Sequence, residues 1–128
     1  MHDGRRLALI AHDGKKADMI AFVRQHRATL ARMRLIGTAT TARLVREETG
    51  LPIESVLSGP LGGDVQIAAG VASGDVHAVI FLVDPLNAHP HDPDIQAVLR
   101  VCNVHNVPLA TNLATAHLLL NTETVTQP

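Results

Sequence analysis

Two hydrophobic periods alternate along the chain. Residues 6–11 (RLALIA) and 77–83 (HAVIFLV) are almost continuously apolar, the pattern of strands buried on both faces rather than wetted on one. After the first run, apolar residues recur near helical spacing at Ala17, Ile20, Ala21 and Val23, and residues 65–71 repeat that pattern. The periodicity predicts strands at 6–11, 34–37, 53–57, 77–83 and 107–110. It predicts helices over 15–26, 38–48, 65–71, 94–105 and 114–120. Gly50 and Pro52 stop the second helix, one as a C-cap and the other because proline cannot continue a helix. Five strand–helix units with short connections, and no repeat, low-complexity tract or linker, predict one domain over residues 1–128. The expected class is α/β: a three-layer α/β/α sandwich of flavodoxin-like architecture, with a five-stranded mainly parallel sheet and right-handed crossovers.

Composition sharpens this picture. Hydrophobic residues make up 46% of the 128 but aromatics only 2%, with no Trp or Tyr, so the core is built from Ala, Val, Leu and Ile. That palette suits helices laid on a buried parallel sheet. With a net charge of −1 there is neither a basic stripe nor an aromatic platform, which argues against nucleic acid as a partner. Cys102 is the single cysteine; it excludes an intrachain disulfide and fits a reducing compartment. The apolar run after Arg5 and Arg6 is only strand-length, too short for a signal or membrane segment, so a cytoplasmic protein with no membrane partner is expected.

In an open parallel sheet, ligands bind outside the carboxyl ends of the strands. The polar residues that are hardest to place structurally all fall there: His12, Asp13, Lys16, Thr38, Thr40, Thr41, Ser58, Asp64, Asp84, His91, Asp92 and Asp94. Residues 58–64 (SGPLGGD) hold three glycines and a proline between a strand and a helix, a loop whose backbone must approach something closely. Free N–H groups and the helix dipole favour an anion at such a place. Asp64 reads either as a carboxylate at or near the helix N-cap or as a catalytic base facing a phosphate ester. Residues 38–41 (TATT) read either as a threonine cap or as a cradle for phosphate oxygens, with Lys16 in reach as a point charge. This set lacks the G-x-x-x-x-G-K-[ST] spacing of a nucleotide loop and fits a small phosphorylated substrate better than ATP.

Residues 89–94 (HPHDPD) form a second constellation, in which His91 and Asp94 can face one pocket while Asp94 caps the following helix. A metal site is the weaker reading, because the prolines restrict the backbone and no regularly spaced ligand motif recurs elsewhere. Crowding of Asp64, Asp84 and Asp94 near one anion raises some carboxyl pKa values, which equips a site for proton abstraction beside a carbonyl and expulsion of a neighbouring phosphate.

AHDGKK at 11–16, TATT at 38–41, SGPLGGD at 58–64, FLVDPLNAHPHDPD at 81–94 and PLATNLATA at 108–116 together resemble the methylglyoxal synthase family, in order and spacing, over nearly the whole chain. The resemblance implies a methylglyoxal synthase-like fold and a homohexameric cytoplasmic lyase. Such an enzyme converts dihydroxyacetone phosphate to methylglyoxal and inorganic phosphate with no metal or organic cofactor, and inorganic phosphate, its product, inhibits it. It implies Asp64 as the base, His91 as the histidine on the substrate oxygens, and Asp94 and Asp84 as supporting acids. His12 and Asp13 match the first polar pair, while Lys16, Thr38, Thr40, Thr41, Ser58 and Gly59 match phosphate and substrate contacts, with Ala39 contributing backbone. The chain departs from the family where Ala39 and Ala42 replace glycines of the threonine loop, and where no Lys or Arg follows Arg100. Competing readings are a non-catalytic ligand-binding module of the same fold, as in carbamoyl phosphate synthetases, and a metal-dependent phosphoesterase. A response-regulator receiver shares the architecture, but Ser58 stands where its phospho-acceptor would.

Overall fold

The computed structural model describes residues 4–87 and 92–121. The sheet is centred on β1 (Arg6–Ala11), flanked by β2 (Arg34–Gly37) and β4 (Ala78–Leu82). β3 (Glu54–Ser55) lies outside β2 and β5 (Leu109–Ala110) outside β4, giving the order β3-β2-β1-β4-β5 with every pair parallel. Leu7 and Leu9 pair with Leu35 and Gly37 on one side and with Ala78 and Ile80 on the other.

The side-chain alternation of the strands divides the core in two. Leu7, Leu9 and Ala11 face Leu35, Ile80 and Leu82 in one cluster. It is covered by α1 (Lys16–Gln25), α3 (Ala39–Thr49) and α6 (Leu113–Leu120) through Phe22, Val45 and Ala116. Ala8, Ile10, Val79 and Phe81 face the opposite way, under α4 (Gly63–Ser73) and α5 (Ile95–His105) through Ile67, Val71 and Val98. These are the expected three layers. Both clusters pass through β1, where every residue from Leu7 to Ala11 is fully buried, so truncating Leu9 to Ala costs about 2–5 kcal/mol. Cys102 lies in the second cluster, and burial pushes its thiol up to about 11, the behaviour of an inert core residue.

The chain moves outward from β1 to β3 and then returns to place β4 against the other side of β1. The order therefore reverses between the carboxyl ends of β1 and β4, where a parallel sheet opens a crevice. No helix among the described residues is long and apolar enough to cross a membrane.

The structure refines several elements, among them β5, expected over 107–110 and reduced to Leu109–Ala110. The third strand shrinks from 53–57 to Glu54–Ser55, because the Leu57 N–H turns aside to Gln66 Oε1 (2.8 Å) and its carbonyl accepts from Ala39 (3.4 Å). The first helix is preceded by a 3-10 turn, Asp13–Lys15, closed by the Lys15 N–H on His12 O (2.8 Å). A further short helix, α2 (Arg27–Leu30), follows it.

Candidate active site

β1 delivers His12 into the crevice. His12 is 8% exposed, and its ring stands edge-on to Phe81 with centroids 5.5 Å apart. Nδ1 lies 3.0 Å from the Asp84 N–H and Nε2 lies 3.0 Å from Pro93 O. An N–H can only donate and a carbonyl can only accept, so the ring is the neutral Nε2–H tautomer. The Asp92 carboxylate 3.9 Å from Nδ1 is consequently a neighbour and not an ion-pair partner. His12 thus works as a brace between the ends of β1, β4 and the segment before α5, rather than as a free acid or base.

The turn after His12 brings Gly14 so close to Asp84 that any Cβ at Gly14 would overlap the carboxylate. Lys16 opens α1 and folds its ammonium back: Nζ donates to Ala11 O (2.6 Å) and Thr41 Oγ1 (3.5 Å) and lies 3.6 Å from Asp13 Oδ1. Burial lowers the Lys16 pKa, opposed by the charges of Asp13 and then Asp92. Lys15, by contrast, pairs at the surface with Asp18 (3.7 Å).

α3 begins behind Thr38, which is 4% exposed and makes no side-chain cap hydrogen bond. Thr38 thus stands at the N-cap position without capping through its side chain, which leaves its hydroxyl for the crevice. Thr40 is exposed and Thr41 is buried against Lys16, while the Ala39 N–H points to Leu57 O. From the other side comes the glycine loop. Ser58 O accepts from Leu61 (3.0 Å) and Gly63 (2.9 Å), and Gly62 sits at φ +98°, a conformation glycine adopts without strain. A Cβ on Gly63 would overlap Leu57 O, so the composition of this loop follows from backbone packing against backbone.

Asp64 is the second residue of α4 behind an N-cap at Gly62, so it does not cap the helix. It is 7% exposed; Oδ1 accepts its neighbour's N–H at Val65 (2.9 Å) and Oδ2 accepts the Asp94 N–H (2.9 Å). One lone pair on each oxygen stays available. Asp94 is the N-cap of α5, accepting from Gln96 (2.9 Å), and its own backbone thereby fixes Asp64. Asp84 Oδ1 accepts from Leu86 (3.3 Å).

These elements enclose a cavity of about 210 Å³ lined by Asp13, Lys16, Thr38, Thr40, Ser58 and Gly59, with Pro60 and Pro93 closing it. Six of the expected site residues thus converge on one space, with His12, Thr41, Asp64, Asp84 and Asp94 packed in the elements that build it. His91 lies outside the described residues. Asp92 was placed at this edge by the sequence pattern without a role; here its side chain is 5% exposed and accepts the Asp13 N–H at 2.8 Å. A larger cavity of about 700 Å³ lies beside Leu82, Pro85, Ile95, Leu99 and Leu113. Its walls are mostly apolar, with Lys15, Asp18, Thr111 and Asn112 among them, and they include neither Thr38 and Thr40 nor the glycine loop. Among the described residues no three His, Cys, Asp or Glu side chains are grouped to hold a metal ion.

Residues 18–111 match the MGS-like domain family. The chain is 60% identical to the methylglyoxal synthase of Thermus thermophilus over 116 residues, covering 91% of this chain and 92% of that protein. It is 57% identical to that of Carboxydothermus hydrogenoformans over 115 residues, covering 90% and 95%. The chain belongs to the methylglyoxal synthase family. The fold agrees: the crystal structure of methylglyoxal synthase from Elizabethkingia anophelis superposes with a TM-score of 0.93 at 40% identity, covering 98% of this chain and 83% of that one.

Proposed function

We propose that this chain is a lyase that converts dihydroxyacetone phosphate to methylglyoxal and inorganic phosphate in the cavity between β1, α3 and the glycine loop. The observation that carries the reading is a buried carboxylate held rigidly in the helix that follows the glycine loop of an anion-suited pocket. Asp64 is 7% exposed and fixed by two backbone N–H groups, beside the pocket formed by Lys16, Thr38, Thr40, Ser58 and Gly59. A cavity of about 210 Å³ suits a triose phosphate, being smaller than the roughly 300–1,000 Å³ typical of drug-sized ligands.

In this reading the phosphate is held by the Lys16 ammonium, the Thr38 and Thr40 hydroxyls and the loop backbone at Ser58 and Gly59. Asp64 removes a proton from the hydroxyl-bearing carbon, and the electron pair of that C–H bond moves toward the carbonyl to form an enediolate. Collapse of the enediolate breaks the carbon–oxygen bond to phosphate, which leaves with the bonding pair. The resulting enol takes a proton on carbon and becomes methylglyoxal, so that one substrate gives one of each product with no oxidant or reductant. His91 acts on the substrate oxygens and Asp84 and Asp94 support the site, as the resemblance implies. Asp13 and Thr41 tune Lys16, Ala39 supplies backbone, and His12 braces the crevice. A cytoplasmic homohexamer inhibited by its product phosphate completes the reading.

A module that only binds phosphate gains no affinity from a carboxylate near its pocket, since a carboxylate repels the anion. The burial of Asp64 therefore favours catalysis over passive recognition. The test is to supply dihydroxyacetone phosphate to chelator-treated protein and follow methylglyoxal and inorganic phosphate together. Equal release supports the lyase, whereas phosphate without methylglyoxal overturns it in favour of a phosphoesterase.

A further inference from the structure

The segment entering α5 is stapled to the rest of the crevice at three consecutive residues. Asp92 Oδ1 accepts the Asp13 N–H (2.8 Å), Pro93 O accepts from His12 Nε2 (3.0 Å), and the Asp94 N–H donates to Asp64 Oδ2 (2.9 Å). The second and third ties use backbone atoms of the segment; the first uses a side chain. Asp13 opens the 3-10 turn that leads to Lys16, and its N–H is one of the donors that a helical turn leaves without an internal partner. The residue in the N-cap position, His12, makes no side-chain cap hydrogen bond because its two ring nitrogens are committed to Asp84 and Pro93. The missing cap arrives from 79 residues away.

We propose that Asp92 is a positioning residue for the phosphate pocket: by accepting the Asp13 N–H it holds the turn at Asp13–Lys15, and so sets where Asp13 and Lys16 stand in the pocket wall. The proposal rests on reading this cavity as a phosphate site. The Asp92 side chain is 5% exposed, and a carboxylate so enclosed is costly unless donors and positive charge surround it. The Asp13 N–H supplies one donor, and the Lys16 ammonium supplies nearby positive charge: Asp92 is one of the two carboxylates that oppose the effect of burial on Lys16. A carboxylate facing a phosphate directly would weaken its binding, so Asp92 contributes through the turn and the lysine rather than by contact.

The experiment compares wild-type protein, Asp92→Asn and Asp92→Ala by calorimetric titration with inorganic phosphate, and by hydrogen exchange at the Asp13 amide. Asp92→Ala removes a charge-assisted hydrogen bond, so phosphate Kd rises roughly tenfold and the Asp13 amide exchanges faster. Asp92→Asn keeps an acceptor oxygen, restores amide protection and recovers most of the affinity. The Asn variant also loses phosphate at a lower alkaline pH than wild type, because Lys16 has lost one supporting charge. Unchanged Kd and unchanged amide protection in Asp92→Ala overturn the proposal, as does a folded Asp92→Asn that is no better than Asp92→Ala. Should the alanine variant fail to fold, the Asn variant decides by its Asp13 protection. A wild-type protein that binds phosphate without forming methylglyoxal removes the lyase reading and leaves the positioning role of Asp92 standing.

Discussion

The Asp64 carboxylate accepts the backbone N–H of Asp94 at 2.9 Å, across 30 residues of sequence. This bond joins the first turn of α4 to the N-cap of α5, so the group proposed to take the proton also holds together two helices of one face. Stability and catalysis are therefore separable only by the choice of substitution. Asp64→Ala strands a part-buried N–H and is expected to cost about 1–3 kcal/mol, read as a lower denaturant midpoint. Asp64→Asn keeps one acceptor oxygen for one of the two N–H groups and sets its NH2 against the other, so its midpoint is expected between those of Asp64→Ala and wild type. Equal midpoints for the alanine variant and wild type would contradict the structural part of this role.

Lys16 is the cation of the pocket, and burial lowers its pKa below the ordinary 10.5. Phosphate affinity should accordingly decline on the alkaline side at a lower pH than an exposed lysine would cause. The folded-state value lies below the unfolded one, so between the two the unfolded chain binds more protons and stability rises with pH. Binding and stability thus move in opposite directions over the same interval. Lys16→Met is expected to weaken inorganic phosphate by roughly 10- to 100-fold and to abolish the alkaline decline, both measured by calorimetry.

Away from the site, His26 Nε2 and His117 Nδ1 share a hydrogen bond of 2.7 Å between the end of α1 and α6, with Phe22 against both rings. Burial and then His117 lower the pKa of His26. Because the folded state gives up this proton more readily than the unfolded chain, stability should fall as pH drops through 6.5 toward the folded value. One proton can bridge the pair; two would set N–H against N–H. His26→Gln is expected to flatten this part of the stability profile in urea titrations at stepped pH. An unaltered slope would show that the acid sensitivity arises elsewhere.

Much of this molecule was legible in its sequence, for definite reasons. β1 and β2 fall where the apolar runs predict them, at Arg6–Ala11 and Arg34–Gly37, because strands buried on both faces leave no ambiguity of period. Gly50 ends α3 in the left-handed conformation, and Asp94 caps α5 as its position before an apolar-periodic segment suggested. β3 was overestimated because its edge position leaves it one partner, and beyond the Val56 N–H, which still donates to Gly37 O, the Leu57 N–H goes to the Gln66 side chain. The 3-10 turn at Asp13–Lys15 had no local sign. Its stabilising partner is Asp92, and a contact across 79 residues leaves no periodicity to read.

The site divides in the same way. Lys16, Thr38, Thr40, Ser58 and Gly59 were gathered correctly because loops at the carboxyl edge of a parallel sheet must converge. The role of His12 as a neutral brace was not legible, since it depends on two backbone partners supplied by Asp84 and Pro93. The glycines of 58–64 were recognisable as close-approach residues, but the approaching partner at Gly63 is the carbonyl of Leu57 and belongs to the protein itself.

The central claim is that Asp64 is the base. The most direct measurement is turnover of dihydroxyacetone phosphate by Asp64→Asn beside wild type, with inorganic phosphate affinity determined on the same preparations. The expected result is a loss of about 10²- to 10⁴-fold in methylglyoxal formation, the range of general acid–base catalysis, with phosphate binding preserved or tightened because a negative charge has been removed. An Asp64→Asn protein that binds phosphate normally and turns over at close to the wild-type rate would contradict it.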